Sequence, residues 1–205
     1  MQYLEFQRLF GKYTVFSLSE IRQEDPRFHR RRLNEWQKKG YLKKLINGCY
    51  LFSERVIDEK TLFEIANRIY SPSYVSCEAA LSYHGLIPES VYGITSASTR
   101  KTSHFKTAIG DFIYRTIRPR LYFGFEYVKS GERYCKIACP EKAFLDHLYL
   151  RPDLGDAGSF SEMRVGREIF LKVMDHTKMN AYAAVYGQKA LSRRVKSFWE
   201  YIRHA

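Results

Sequence analysis

Four pieces of punctuation between residues 17 and 48 leave the N-terminal part of this chain little conformational freedom: Ser17-Leu-Ser-Glu20, Asp25-Pro26, Gly40 and Asn47-Gly48. A Ser followed three residues later by Glu is a capping box. The hydroxyl accepts from one exposed helix-start amide, and the carboxylate accepts from the amide of the Ser. Phe16 and Ile21 flank it as a hydrophobic staple, so a helix is expected from residue 18. Asp25-Pro26 reads as a second start, because Asp caps and Pro lacks only an N–H that has no partner in a first turn. The helix so opened, PRFHRRRLNEWQKK, is expected to run to Gly40. Ahead of both, Tyr3, Phe6 and Phe10 mark one face of a short helix that stops at Gly11. Behind them, the runs LKKLI and CYLF flank Asn47-Gly48, the preferred pair for a type I′ turn.

On a helical wheel of about 100° per residue, Phe28, Leu33 and Trp36 share one sector and should face a core. Arg27, Arg30, Arg31, Asn34 and Lys38 occupy the opposite sector. Arg and Lys can fork onto guanine edges or phosphates, and Asn can pair with adenine. Arg32 projects between Phe28 and Trp36, where its stem can lie along the core edge with its head in water or on a phosphate. Lys43 and Lys44 are adjacent, so they cannot share a strand face, which fits a small hairpin buried fully on neither side. A helix-turn-helix followed by a lysine-bearing hairpin makes a winged helix. Its basic helix is expected in the major groove and its wing on the backbone. Arg32, Lys43 and Lys44 are then the phosphate contacts.

Charge supports that reading. The chain of 205 residues carries +12 overall, with a sequence pI near 9.5. Residues 1–53 hold eleven Lys/Arg against five Asp/Glu, so half of the excess sits in about a quarter of the length. Such a balance favours a polyanionic partner. A winged helix used only for protein contacts is the alternative. No apolar run is long enough to span a membrane, and the first residues lack a signal-peptide layout, so a cytoplasmic location is expected. The four cysteines, Cys49, Cys77, Cys135 and Cys139, are then expected as reduced, buried thiols.

After the polar junction SERVIDEK the character changes. TLFEIANRIY carries a helical stripe of Leu62, Ile65, Ala66 and Ile69, and Ser71-Pro72 ends it. SCEAALSYHG reads as a helix capped by Ser76 and closed by Gly85. VYGITSAST, GDFIYRTI, LYFGFEYV and RYCKIAC are rich in β-branched and aromatic residues and predict a small antiparallel sheet. Pro140 opens a helix with Ala143, Phe144, His147 and Leu148 on one stripe, PDLGDAGS reads as a loop, and the C-terminus is helical. Its last helix buries Val195, Phe198, Trp199 and Ile202.

Chemistry-bearing patterns are sparse. There is no phosphate-binding glycine motif and no helical zinc pair, so neither cofactor nor metal is expected. His84 precedes a helix-ending Gly and reads as structural. Asp146 and His147 are adjacent, so on a helix they point apart. Asp111, Glu126 and Glu141 are conceivable nuclease ligands that no spacing ties together. A nuclease-like enzyme, or a regulator sensing a small ligand in the aromatic C-terminal part, stays open as an alternative.

The second part also resembles a known family. YVSCEAALSYHGLIPE, the Thr and Arg of TSASTRKT, GDFIYRTI, an FGF strand and IACPEKAFLDHLYLR follow, in order, the pattern of AbiEi-type antitoxins of type IV toxin–antitoxin systems. LNEWQKKGYLKKLINGCYLF is similar to the winged helix that opens such antitoxins. Where the family carries a basic residue before the wing glycine, Asn47 stands here. The resemblance implies an operator-binding autorepressor whose C-terminal domain counters a nucleotidyltransferase-type toxin without an obligatory stable complex. Glu78, His84, Glu141, Lys142 and Asp146 recur in the pattern and read equally as caps and buried polar pairs. The expected fold is therefore α+β: a winged helix-turn-helix domain over residues 1–56, then a mixed domain over 57–205 with a small antiparallel sheet and a helical C-terminal bundle. The site is expected to use Arg27, Arg30, Arg31, Arg32, Asn34, Lys38, Lys43 and Lys44 on double-stranded operator DNA.

Overall fold

The computed structural model describes residues 1–88 and 93–204; Val91 and Tyr92 of the first expected strand lie outside them. The chain runs α1 (Tyr3–Phe10), β1 (Phe16–Ser17), α2 (Leu18–Glu24), α3 (Arg31–Lys38), β2 (Leu42–Ile46) and β3 (Cys49–Phe52). It continues with α4 (Glu59–Ile69), β4 (Ser73–Val75), α5 (Cys77–Tyr83), β5 (Gly93–Ser98), β6 (Ser103–Thr107), β7 (Gly110–Thr116), β8 (Phe125–Ser130) and β9 (Arg133–Ala138). Five helices close it: α6 (Pro140–Leu150), α7 (Ala157–Glu162), α8 (Arg167–Val173), α9 (His176–Tyr186) and α10 (Lys189–His204). No helix among the described residues is long and apolar enough to cross a membrane.

The α+β class is as expected, but the sheets are not. β1, β3 and β2 form a small antiparallel sheet in that order. The other six strands form one mixed sheet, ordered β6-β7-β5-β4-β9-β8, in which β4 pairs parallel to β9 and β5 parallel to β7. Two of its strands escaped the sequence reading. β4 has only three residues, all buried, and β6 alternates polar residues along an edge, so neither shows the apolar pattern that announces a strand.

Register sets the layers. Tyr114, Ser96 and Val75 are paired across three strands and share one face, where the Tyr114 hydroxyl donates to the Ala66 carbonyl of α4 at 2.7 Å. Tyr74, one residue before Val75, points to the other face, as strand alternation demands. There its hydroxyl donates to Asp146 Oδ2 of α6 at 2.7 Å. The sheet therefore lies between α4 and α6, with α5, α9 and α10 packed against α6.

Asp146 is fully buried and collects four donors. Lys142 Nζ and the Tyr186 hydroxyl reach Oδ1 at 2.6 Å each; the Tyr74 and Ser76 hydroxyls reach Oδ2 at 2.7 Å each. Burial, then the Asp146 charge, pushes both tyrosines well above the ordinary phenol range, so they remain donors at neutral pH. Burial also pulls the Lys142 ammonium down against the opposing effect of Asp146. Gly124 closes over this cluster. It sits at φ +72°, and a Cβ there would meet Lys142 Cγ at 3.0 Å.

The buried apolar residues fall into two clusters. One contains Phe6, Phe10, Phe16, Ile21, Phe28, Leu33, Trp36, Leu42, Tyr50 and Phe52; the other holds the larger sheet and the later helices together with Val15, Leu45 and Leu51 of the N-terminal segment. Glu20 joins them. It completes the capping box of α2 by accepting from the Ser17 amide at 2.8 Å, and it takes Arg68 of α4 and Arg133 of β9 on its other oxygen. Thr14 to Glu64 at 2.7 Å, and Arg55 to the Gly11 and Tyr13 carbonyls, add to the joint.

Other local expectations held or failed for identifiable reasons. α4, α5, α6 and α10 lie where their stripes put them, and Val195, Phe198, Trp199 and Ile202 are buried. Ser76 precedes α5 but does not cap it, because its hydroxyl is committed to Asp146. The expected loop at PDLGDAGS ends early: Asp156 accepts from the Ser159 amide and starts α7. Cys77, Cys135 and Cys139 are buried free thiols, whereas Cys49 is half-buried.

Two outcomes are expected in denaturant melts. Asp146→Ala removes the only carboxylate facing Lys142 in this cluster and costs about 3–5 kcal/mol, as for a broken buried pair; Lys142→Met, which leaves three hydroxyl donors on Asp146, costs clearly less. Glu20→Gln costs about 1–2 kcal/mol at neutral pH. Burial raises the Glu20 carboxyl, but hydrogen bonds from Arg68 and Ser17 outweigh it and hold it low. Stability from a carboxyl depressed in the fold is present above its unfolded value of about 4.3 and is lost as pH falls through the folded value. The gap between wild type and Glu20→Gln therefore closes in acid.

Candidate nucleic-acid interface

The helix expected from Pro26 begins five residues later. Asp25 ends α2 instead: its amide donates to the Ile21 carbonyl at 2.9 Å, and its backbone is extended, the conformation a residue before proline prefers. Its carboxylate accepts the Arg27 amide at 3.1 Å, a local turn, and the N-terminal ammonium at 3.1 Å. Residues 26–30 are thus a turn that drops Phe28 into the aromatic cluster, and α3 starts at Arg31. Arg27 and Arg30 belong to that turn and not to the helix face on which the wheel placed them.

The shorter α3 still divides cleanly. Leu33 is fully buried and Trp36 nearly so, the indole tilted against Phe6 at 4.7 Å and Phe28 at 5.7 Å and edge-on to Tyr3 at 5.4 Å between ring centroids. That packing turns Arg31, Asn34 and Lys38 outward. Glu35 shares this outer face, and its carboxylate accepts from Arg31 Nε at 3.2 Å. The pair is open to water, with the Arg31 side chain 88% exposed, so it is weak and does not fix the guanidinium. Among the described residues, the Asn34 side chain accepts only a long contact of 3.5 Å from Gln37. Arg27, Arg30 and Lys38 are exposed and form no ion pair among the described residues.

Arg32 departs from its expected role. Its guanidinium donates to the Met1 carbonyl at 2.9 Å and to Gln2 Oε1 at 3.3 Å. It ties the start of the chain to α3 and is half-buried, so it is a poor phosphate contact.

The hairpin forms where Asn47-Gly48 placed it, but not with a type I′ turn. Gly48 takes φ +84°, and Asn47 has no positive φ, so one left-handed residue closes the loop, as in a type II turn. The ladder shifts register between Lys44 and Ile46, an irregularity that supplies the twist a I′ turn would have given. β2 is an edge strand whose Leu42 is buried in the smaller core and whose Leu45 is buried in the larger one. Lys43 and Lys44 are both exposed, which an edge permits although neighbours point to opposite faces.

The remaining motif residues are held inside the fold. Glu141 accepts the Asp175 amide at 3.0 Å and pairs with Lys178 at 2.9 Å; His84 Nε2 contacts the Ala138 carbonyl at 2.8 Å. Asp111 pairs with His104 at 2.8 Å, and Asp111, Glu126 and Glu141 do not gather into a metal-binding group among the described residues. What the sequence reading missed is a group formed by Cys77, Glu78 and His147. Its members come from two helices that meet only in the folded chain; the visible signal was that SCE and DH both fall in runs expected to be helical.

Comparison of the sequence with protein-family models and with curated proteins yields no match.

Proposed function

We propose that residues 1–56 are a winged helix-turn-helix domain that binds double-stranded DNA. The order α1-β1-α2-α3-β2-β3, with the hairpin beside the basic helix, is the arrangement that puts one helix in the major groove and a wing on the backbone. The observation that carries the reading is the face of α3: Arg31, Asn34 and Lys38 are turned to solvent by the burial of Leu33 and Trp36. Arg27, Arg30, Lys43 and Lys44 flank it as exposed cations, unpaired among the described residues and suited to phosphates. Glu35 adds an acceptor for a cytosine amino group. Together with the motifs of residues 60–152, this supports an antitoxin of the AbiEi type that represses its own operon. Residues 57–205 would then counter a nucleotidyltransferase-type toxin.

The test is fluorescence anisotropy with the DNA upstream of the chain's own gene against a scrambled duplex. Arg31→Ala with Asn34→Ala is expected to erase the preference for the upstream sequence while circular dichroism is unchanged; an intact preference would contradict the assignment. Lys43→Ala with Lys44→Ala should weaken both duplexes alike. It should also reduce the slope of log affinity against log salt by about two. Arg32→Ala is expected to leave that slope unaltered and to lower stability, because its partners are Met1 and Gln2.

A further inference from the structure

Cys77 Sγ, a Glu78 carboxylate oxygen and a His147 ring nitrogen lie within 4.8 Å of one another. The three come together through the Asp146 cluster. Ser76, held to Asp146 at 2.7 Å, fixes the residue before Cys77, and His147 follows Asp146 on α6. Adjacent helix residues point apart, so one end of this turn of α6 anchors the β4–α5 junction while the other faces the side chains that follow it. Cys77 takes φ +52°, unusual for a residue with a side chain.

His147 supplies the second, independent observation. Its side chain is 8% exposed, and Nδ1 is buried without a hydrogen bond among the described residues. A buried polar nitrogen without a partner is costly and calls for an explanation. Glu78 Oε1 stands 3.5 Å away, outside hydrogen-bonding geometry. That separation is the edge of a tetrahedron about zinc, which comes to about 3.4–3.6 Å for N, O and S ligands at their usual bond lengths. The Glu78 side chain is 36% exposed, so solvent reaches one side of the group and provides an entry path.

We propose that Cys77, Glu78 and His147 form a site for one borderline-soft divalent cation of the zinc class, with a fourth position left to solvent. Thiolate, imidazole and carboxylate are the donor set such an ion selects over magnesium or calcium. Binding gives Nδ1 the partner it lacks and ties α5 to α6. The assignment is independent of DNA binding, which uses other residues.

Cobalt(II) is the probe, added to the metal-stripped full chain. One equivalent is expected to produce a thiolate-to-cobalt charge-transfer band that zinc then displaces. Cys77→Ser should abolish the band, and Cys49→Ser, at the half-buried thiol on β3, should keep it. Glu78→Gln, with the metal-free melting temperature measured as its folding control, should weaken cobalt affinity at least about tenfold, since even losses around a ligand cost that much. No band on the wild-type chain, a band that survives Cys77→Ser, or unchanged affinity in Glu78→Gln would each overturn the site.

Discussion

One buried carboxylate organises the larger part of this molecule. Asp146 accepts from a strand residue, from the strand–helix junction, from its own helix and from α9. A charge in that position is costly unless every lone pair is met, so the four elements can pack in one arrangement only. The consequences spread along the chain. Ser76 gives up capping α5, Cys77 takes positive φ, a side chain at Gly124 would be strained and crowd Lys142, and His147 is presented to the opposite side of the same turn. Apolar burial supplies the driving force for this layer, but the polar cluster decides which of many packings results.

The smaller core works by a different rule. Its rings, Phe6, Phe10, Phe16, Phe28, Trp36 and Phe52, interlock edge to face and tilted, geometries that aromatic quadrupoles favour. With Leu33 they consume the inner side of α3 completely. The cations of that helix therefore have nowhere to go but outward. The proposed DNA-reading surface is in this sense a by-product of where the aromatic residues are.

How much of this could be read from residues alone depended on range. The Ser17–Glu20 capping box, the α10 stripe and the site of the hairpin are local, and each appeared where its spacing put it. Asp25-Pro26 misled because a capping residue and a turn residue are the same residue type: the carboxylate found the Arg27 amide and the terminal ammonium before any helix could use it. β4 and β6 were silent because a buried three-residue strand and a polar edge strand carry no period. The parallel pairings, the donors gathered on Asp146 and the Cys77–Glu78–His147 group were invisible for one shared reason. Apart from the Lys142–Asp146 pair within α6, each joins residues from 18 to about 70 positions apart, and no local pattern encodes a meeting of that kind. Of the expected DNA contacts, Arg31, Asn34, Lys38, Lys43 and Lys44 are exposed as the wheel and hairpin required. Arg27 and Arg30 reach the surface from a turn, and Arg32 is spent on the backbone of the first residue.

Glu20 has a consequence for portability. Because the same carboxylate caps the start of a helix in one core and seats Arg68 and Arg133 from the other, the N-terminal segment is not a detachable cassette. Transplanted onto a foreign partner, it would carry a cap whose outer oxygen has lost two guanidinium groups, and the recipient would have to furnish replacements. A recipient that lacked them would be left with a looser seam between the two cores.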